Sequence, residues 1–198
     1  SRPYMNMERA LYFTESMQKS EGQPLVLRWA RALVHTLKNL PVVIGQDDRL
    51  VGRFGEGRYG IFYPELEGRF LEDPDFAIES FSISPCDLEK VRKHILPYWH
   101  GKTFHEAFEA RLPEQLRNLL YIEGAPAHPA FIVQETATVR HALQWALDYD
   151  KILRRGFRGI AEDAEKKRSC ASTQQQKDFY TAVIELCAGI KLFAERFS

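Results

Sequence analysis

The chain has 198 residues, enough for one sizeable hydrophobic core, and its 27 Lys and Arg residues equal its 27 Asp and Glu residues. The formal net charge of zero argues against binding of nucleic acid or membrane surfaces through bulk charge. Cys86, Cys170 and Cys187 are irregularly spaced, which predicts neither a disulfide framework nor a metal site. Without a signal-peptide pattern or a long apolar run, the sequence indicates a soluble cytoplasmic protein.

Two amphipathic helices are predicted at the start of the chain. Apolar side chains recur at helical spacing between Asn6 and Ser20. The second helix begins after Pro24, a residue that suits a first helical position, and stops at Pro41. Each helix carries one apolar stripe, so we expect both to pack against a core.

A strand, a turn and a second strand are predicted between Val42 and Arg53, where two apolar runs flank an acidic pair. Asp47 and Asp48 could hold a cation, but we favour a turn because aspartate accepts local backbone hydrogen bonds. The glycines that follow lack the Gly-Lys-Ser/Thr ending of a phosphate-binding loop. We therefore expect a few short strands from Val42 to Tyr63 and no phosphate site.

Five further helices are predicted in the rest of the chain. They run from a Ser84 cap to about Pro97, from Thr103 to Leu112, from Pro113 to Tyr121, from Asp148 to about Cys170, and from a Ser172-Thr173 cap onwards. Gly156 and Gly159 lower helix stability, which predicts close packing of the fourth of these helices against another backbone. The last helix stays apolar to Phe197, so we expect the chain to continue beyond Ser198.

Metal and thiol chemistry find little support in the sequence. No His or Cys residues recur at a spacing typical of metal ligands, so we predict no metal site. Cys86 lies at a predicted helix N-terminus, a position that can lower a thiol pKa. The sequence places no His or Lys partner beside it, and we interpret Cys86 as structural.

The strongest candidate site lies just before the helix that Asp148 opens. Arg140 and Gln144 are four residues apart and would share one face if this stretch is helical. A planar guanidinium beside an amide donor suits an oxygen-rich anion such as a sulfonate or a carboxylate. The alternative is that both side chains are solvated or cap a helix end.

Three blocks of sequence together resemble the glycyl radical enzymes, the group of pyruvate formate-lyase and the diol dehydratases. They are ERAL at 8–11 with GQPLVLR at 22–28, DDRLVG at 47–52, and DYDKILRRGFRGI at 148–160. The family is several times longer, and its thiyl cysteine, neighbouring glutamate and radical-bearing glycine lie further on. The resemblance therefore implies that residues 1–198 are the N-terminal portion of one pyruvate formate-lyase-type domain, truncated, without catalytic residues and inactive alone.

The same resemblance implies a fold and partners. The segment should be mainly α with a few short strands, and should supply part of the helical wrapping of a ten-stranded α/β barrel. No cofactor should be bound, because a radical S-adenosylmethionine activating enzyme installs the glycyl radical. The resemblance also implies a homodimer and a cytoplasmic location, with enclosure in a bacterial microcompartment as the alternative.

The residues at positions 140 and 144 indicate the subclass. Diol-dehydratase members resemble Gly-His-x-x-Pro-Asp-Tyr before the long helix, and aligning Asp148-Tyr149 on that pattern puts Gln144 at the His. Gln only offers hydrogen bonds, whereas His can exchange protons with a substrate hydroxyl. With Arg140 one turn earlier, the pair resembles that of sulfonate-cleaving members, which implies cleavage of isethionate to acetaldehyde and sulfite.

Two alternatives come from different classes. The first is another glycyl radical enzyme acting on dihydroxypropanesulfonate, choline, glycerol or an arylacetate. The second is a non-enzymatic helical interaction module with the same apolar patterning. The reading frame beyond Ser198 discriminates between them, because only an enzyme continues into the cysteine and glycyl loops.

Overall fold

A computed structural model describes residues 2–55, 57, 59–66, 81–115 and 147–198. The elements in chain order are β1 (Tyr4–Asn6), α1 (Glu8–Lys19), α2 (Leu25–Asn39), β2 (Tyr59–Ile61), α3 (Pro85–Lys90), a π-helical turn (Val91–Ile95), α4 (Leu96–Trp99), α5 (Phe104–Glu109), α6 (Tyr149–Ser169) and α7 (Gln174–Glu195). Helices dominate, which confirms the predicted mainly α character. None of the helices in the described part of the chain combines the length and apolar character of a bilayer span.

The chain divides into two compact units. Unit 1 comprises Ser1–Ala10 and Arg58–Ala146, and unit 2 comprises Leu11–Gly57 and Leu147–Ser198. Each unit therefore joins two segments that are far apart in sequence.

Unit 1 contains a two-stranded parallel sheet. β1 pairs with β2, and Tyr4 lies opposite Tyr59 at the start of the register. β2 falls within the range where short strands were predicted, whereas β1 was not predicted. Parallel pairing joins residues far apart in the chain, so local patterns carry little information about it.

The strand prediction between Val42 and Arg53 was wrong, because this described stretch contains no strand. The carboxylate of Asp48 instead accepts a hydrogen bond from the Gly45 amide at 2.7 Å and contacts the Arg53 guanidinium at 3.2 Å. Such local side-chain bonds compete with a strand ladder, and an isolated two-stranded hairpin is at best marginally stable. The favoured interpretation of the acidic pair as a turn is confirmed.

Helix caps follow the prediction closely. Ser84 caps α3, and its hydroxyl accepts the Asp87 amide hydrogen at 3.0 Å. Asp148 caps α6 through the Lys151 amide at 3.0 Å, and Thr173 opens α7 with a capping box. These side chains satisfy amide groups that the first helical turn leaves without intrahelical partners.

Two predicted helix bounds differ from the observed ones. The helix that Ser84 opens passes Pro97 and reaches Trp99, through the π-helical turn in which the Leu96 amide donates to the Val91 carbonyl. A widened turn of this kind can accommodate a proline that has no amide hydrogen to donate. The helix predicted from Thr103 to Leu112 is the shorter α5, and most of the one predicted from Pro113 to Tyr121 lies outside the described residues.

A buried ion pair connects the start of α1 to the residues after β2 within unit 1. The Arg9 guanidinium donates two hydrogen bonds to the Glu65 carboxylate, one of them 3.0 Å long. The side chains are 9% and 1% exposed, and the guanidinium lies 4.1 Å from the Tyr63 ring centroid. Burial raises the pKa of the Tyr63 hydroxyl, which is the expected effect of desolvation on a group whose charged form is an anion.

Unit 2 is built on α7, which packs against both α2 and α6. A Cβ atom on Gly189 would lie 2.6 Å from Val34 Cγ2, so only glycine allows α7 to approach α2 this closely. Arg31 donates to both carboxylate oxygens of Glu185 at 2.8 Å. Arg196 donates to the carbonyls of Leu37 and Leu40, the former at 2.7 Å, and thereby caps the end of α2.

The prediction that Gly156 and Gly159 allow close packing against another backbone was wrong. Gly156 has φ 61° and ψ 170°, a conformation open essentially only to glycine, and among the described residues no atom beyond its own stretch of helix lies within 4 Å of an added Cβ. It kinks α6 instead of packing. A Cβ on Gly159 would meet the Arg155 side chain of the same helix at 3.3 Å.

We expect Gly189→Ala to destabilise the chain by about 1–3 kcal/mol, because the added methyl group would overlap Val34. Val34→Ala should relieve the overlap, so the double variant should be less destabilised than the sum of the single variants. Urea unfolding followed by circular dichroism measures the cycle. Ala188→Ser, at the exposed neighbouring position, is the control, and additive effects would contradict the contact.

We expect Arg9→Met to cost about 3–5 kcal/mol, because it leaves the Glu65 carboxylate buried without its partner. The double variant Arg9→Met with Glu65→Leu should recover much of that loss. Lys19→Met is the matched control, because the Lys19–Glu15 pair is 67% and 47% exposed, and it should change stability by less than about 1 kcal/mol. Equal losses in both variants would show that burial does not strengthen the Arg9 contact.

Candidate functional site

The two residues predicted to bind substrate, Arg140 and Gln144, lie outside the described residues. The description resumes at Leu147, directly before the Asp148 cap of α6. In the first turns of this helix Tyr149 and Leu153 are 65% and 84% exposed, and their spacing of four residues puts them on one face. Because Arg140 and Gln144 are not described, the candidate site stays a prediction. The helix that was expected to follow it is confirmed.

A cleft of about 550 Å³ lies between α2 and α7 in unit 2. Val34 and Gly189 contribute its apolar part, and Arg31, His35 and Lys38 bring basic groups to its wall. Because three basic groups line this cleft, it is a site only if those groups are free to bind an anion.

The cleft's charged groups are mostly engaged with other protein groups. Arg31 is bound to Glu185, whose hydrogen bond raises the pKa of the guanidinium. His35 Nε2 lies 3.0 Å from a Glu15 oxygen, and hydrogen bonds from Lys19 and then His35 lower the pKa of that carboxyl group. Since these pairs compensate their own charge, we interpret the cleft as a packing boundary between helices and not as an active site.

Metal binding is not indicated by the described residues. They contain no group of three or more His, Cys, Asp or Glu side chains that could hold a metal ion. At the acidic turn, the Gly45 amide is the main cause of the lowered pKa of Asp48, followed by the charge of Arg53. Protein donors therefore occupy the carboxylate that a cation would need.

The three cysteines lie in different environments. Cys86 and Cys170 are exposed, whereas Cys187 is buried. The pKa of Lys90 is raised, chiefly by its electrostatic interaction with Cys86 and then by Asp87. A Lys partner one helical turn from Cys86 was therefore missed, although the spacing of four residues was visible in the sequence. Burial raises the pKa of the Cys187 thiol.

We expect iodoacetamide to modify Cys86 and Cys170 in the native chain well before Cys187, with Cys187 roughly tenfold slower or more, because access and thiolate fraction are both reduced there. Peptide mass spectrometry at timed quenches measures the three rates. In urea the rates should converge. Equal native rates would show that α7 does not shield Cys187.

The whole chain is similar in sequence to known proteins. The family model described as Pyruvate formate lyase-like matches residues 1–198. Isethionate sulfite-lyase of Desulfovibrio desulfuricans is 44% identical over 207 residues, covering 98% of this chain and 25% of the relative. Isethionate sulfite-lyase of Bilophila wadsworthia is 43% identical over 211 residues, with the same coverage of 98% and 25%.

A more distant relative and a solved structure extend the comparison. The (2S)-3-sulfopropanediol dehydratase of Klebsiella oxytoca is 27% identical, covering 98% of this chain and 25% of the relative. The glycerol-bound B12-independent glycerol dehydratase from Clostridium butyricum matches with a TM-score of 0.81 at 27% identity, covering 99% of this chain and 25% of that one. The chain thus spans about a quarter of the length of these proteins.

Proposed function

The chain belongs to the pyruvate formate lyase-like family, and we propose that it is the N-terminal quarter of a glycyl radical lyase that cleaves isethionate to acetaldehyde and sulfite. The observation that carries this proposal is the high identity to isethionate sulfite-lyases across almost the whole chain. Local motifs alone would leave the substrate open, because the same blocks occur throughout the family.

The proposal extends to the fold of the whole enzyme. In it, residues 1–198 belong to one pyruvate formate-lyase-type domain and form part of the helical wrapping of a ten-stranded α/β barrel. Family membership and the dominance of helices support this arrangement. The proposed enzyme is a cytoplasmic homodimer whose glycyl radical an S-adenosylmethionine-dependent activating enzyme installs.

In the proposed reaction the radical chemistry and the substrate contacts come from different parts of the polypeptide. The cysteine that the family carries further along, as a thiyl radical, takes a hydrogen atom from the hydroxyl-bearing carbon, and the glutamate takes the hydroxyl proton. The carbon–sulfur bond then breaks, sulfite leaves, and the cysteine returns the hydrogen atom to the other carbon. Acetaldehyde, sulfite and the released proton together contain all the atoms of isethionate. Arg140 and Gln144 hold the sulfonate, orient that bond and offset the charge of the departing sulfite.

A second candidate is a lyase or dehydratase for a dihydroxypropanesulfonate. The relative whose name includes sulfopropanediol favours it, because that substrate also carries a sulfonate. Both candidates need an anion-binding Arg, and they differ in the room and the hydrogen bonds offered to a second hydroxyl group.

In the full-length enzyme, Arg140→Ala should raise the KM for isethionate and lower kcat. Loss of a charge-assisted contact costs about 1.5–3 kcal/mol, or roughly ten- to hundredfold in kcat/KM. Arg140→Lys should recover activity only in part, because an ammonium group cannot reproduce the planar fork. Steady-state kinetics, after spin counting confirms equal glycyl radical in each variant, measures the effect. Unchanged kinetics at subsaturating isethionate would return Arg140 to a structural role.

Gln144→His separates the two proposed contacts. It should weaken sulfonate binding less than Arg140→Ala, because an imidazole still offers one hydrogen bond. It should not create efficient dehydration of a neutral diol, since Arg140 would remain a buried charge without a partner. Turnover of 1,2-propanediol by this single variant would contradict the proposed division of roles.

A further inference from the structure

The helix α6 changes direction at Gly156, whose φ of 61° and ψ of 170° lie outside the helical region. The two buried residues of this helix, Gly159 and Ala164, both follow the kink. Residues 149–155 therefore leave the packed part of α6 in a direction that the backbone of a single residue determines.

One side chain bridges this kink. Arg155, the last residue before Gly156, donates to the Asp163 carboxylate at 2.8 Å. Its side chain lies over Gly159, where an added Cβ would be 3.3 Å from the Arg155 Nε atom. Ion pairs in a straight helix join residues three or four apart, because residues eight apart are separated by about 12 Å along the axis. The Arg155–Asp163 contact, which we call the clasp, therefore belongs to the kinked form of α6.

The neighbouring ion pairs of α6 stay on one side of the kink. Arg154 donates to Asp150 at 2.7 Å, before Gly156, and Arg158 contacts Glu162 at 3.7 Å, after it. Both pairs join residues four apart. Among the ion pairs described on this helix, the clasp alone spans the kink, so it is the one that can hold the angle.

The direction of residues 149–155 fixes the point at which the preceding chain joins the helix. The Asp148 cap is eight residues before Gly156, about 12 Å along a helix, so a change of about 20° would move it by about 4 Å. Only three residues separate Gln144 from Asp148 in the sequence, and this link spans at most about 14 Å. A shift of that size matters, because misplacing a substrate contact by about 1 Å can cost roughly a hundredfold in rate.

We propose that Arg155 is a positioning residue for the sulfonate site, because the clasp fixes the kink at Gly156 and thereby the place from which the chain runs back to Gln144 and Arg140. This inference rests on the proposed function, in which those two residues hold the sulfonate. The clasp is 47% and 41% exposed, so it adds little to global stability and its loss should appear in substrate affinity instead.

Binding of isethionate to the full-length enzyme without its glycyl radical tests the proposal, because affinity is then measured without turnover. Arg155→Met should raise the Kd roughly two- to fivefold, the range that a partly exposed ion pair can transmit. Arg154→Met is the matched control, since it removes an adjacent guanidinium whose partner lies on the same side of the kink, and it should leave the Kd unchanged. An unchanged Kd in Arg155→Met, or an equal rise in both variants, would overturn the proposal.

Exchange of the two charges tests the pair itself. Arg155→Asp and Asp163→Arg should each raise the Kd and speed amide hydrogen exchange in residues 149–155, with a Tm within about 2 °C of wild type. The double variant should recover both properties, because side chains of a helix point towards its N-terminus and an arginine introduced at position 163 still faces position 155. Failure of the double variant to recover would show that the clasp does not position the site.

Wild-type binding separates this inference from the function on which it rests. A wild-type enzyme that does not bind isethionate contradicts the proposed function. Wild-type binding that neither Arg155→Asp nor Asp163→Arg weakens contradicts only the role of Arg155. Hydrogen exchange in residues 149–155 that stays unchanged in both single variants contradicts the clasp whatever the substrate is.

Discussion

The close approach of α2 and α7 is the contact on which unit 2 depends. Gly189 removes the side chain that would collide with Val34, and the two helices then lie near enough for polar side chains to bridge them. Arg31 reaches Glu185 from α2, while Arg196 returns from the end of α7 to cap α2. These hydrogen bonds join residues more than 150 positions apart, so folding of this unit must bring together the two ends of the chain.

In unit 1, a buried ion pair connects two segments that are far apart in the sequence. It is the Arg9–Glu65 pair, which is nearly inaccessible to water, whereas most of the ion pairs described on the helices of unit 2 are exposed and join residues three or four apart. Removal of one buried partner leaves an uncompensated charge, and removal of an exposed partner costs little. Location, not the number of ion pairs, therefore determines which charged residues hold the fold.

Hydrogen bonds between residues close together in the sequence made part of the fold predictable. Ser84, Asp148 and Thr173 were identified as caps because a capping side chain and its amide partner are only three residues apart. β1, the role of Gly189 and the Arg9–Glu65 pair escaped prediction, since each depends on a residue that is distant in the sequence. Gly156 was singled out for the wrong reason, because glycine content cannot distinguish a close contact from a positive φ. The candidate site could be inferred only from residue types and their alignment on a family pattern, which indicate chemistry but not position.

The proposed site has a physical reason to combine Arg with Gln. A sulfonate carries one negative charge, and as the carbon–sulfur bond breaks, charge accumulates on the departing sulfite. A guanidinium at Arg140 would therefore interact more strongly with the transition state than with bound isethionate, and such differential binding raises kcat as well as affinity. Gln144, being neutral, would fix orientation without adding a charge that must be desolvated. In the proposed enzyme this N-terminal quarter would thus select the anion and assist its departure, while the radical machinery further along the chain would act on any suitably placed alcohol.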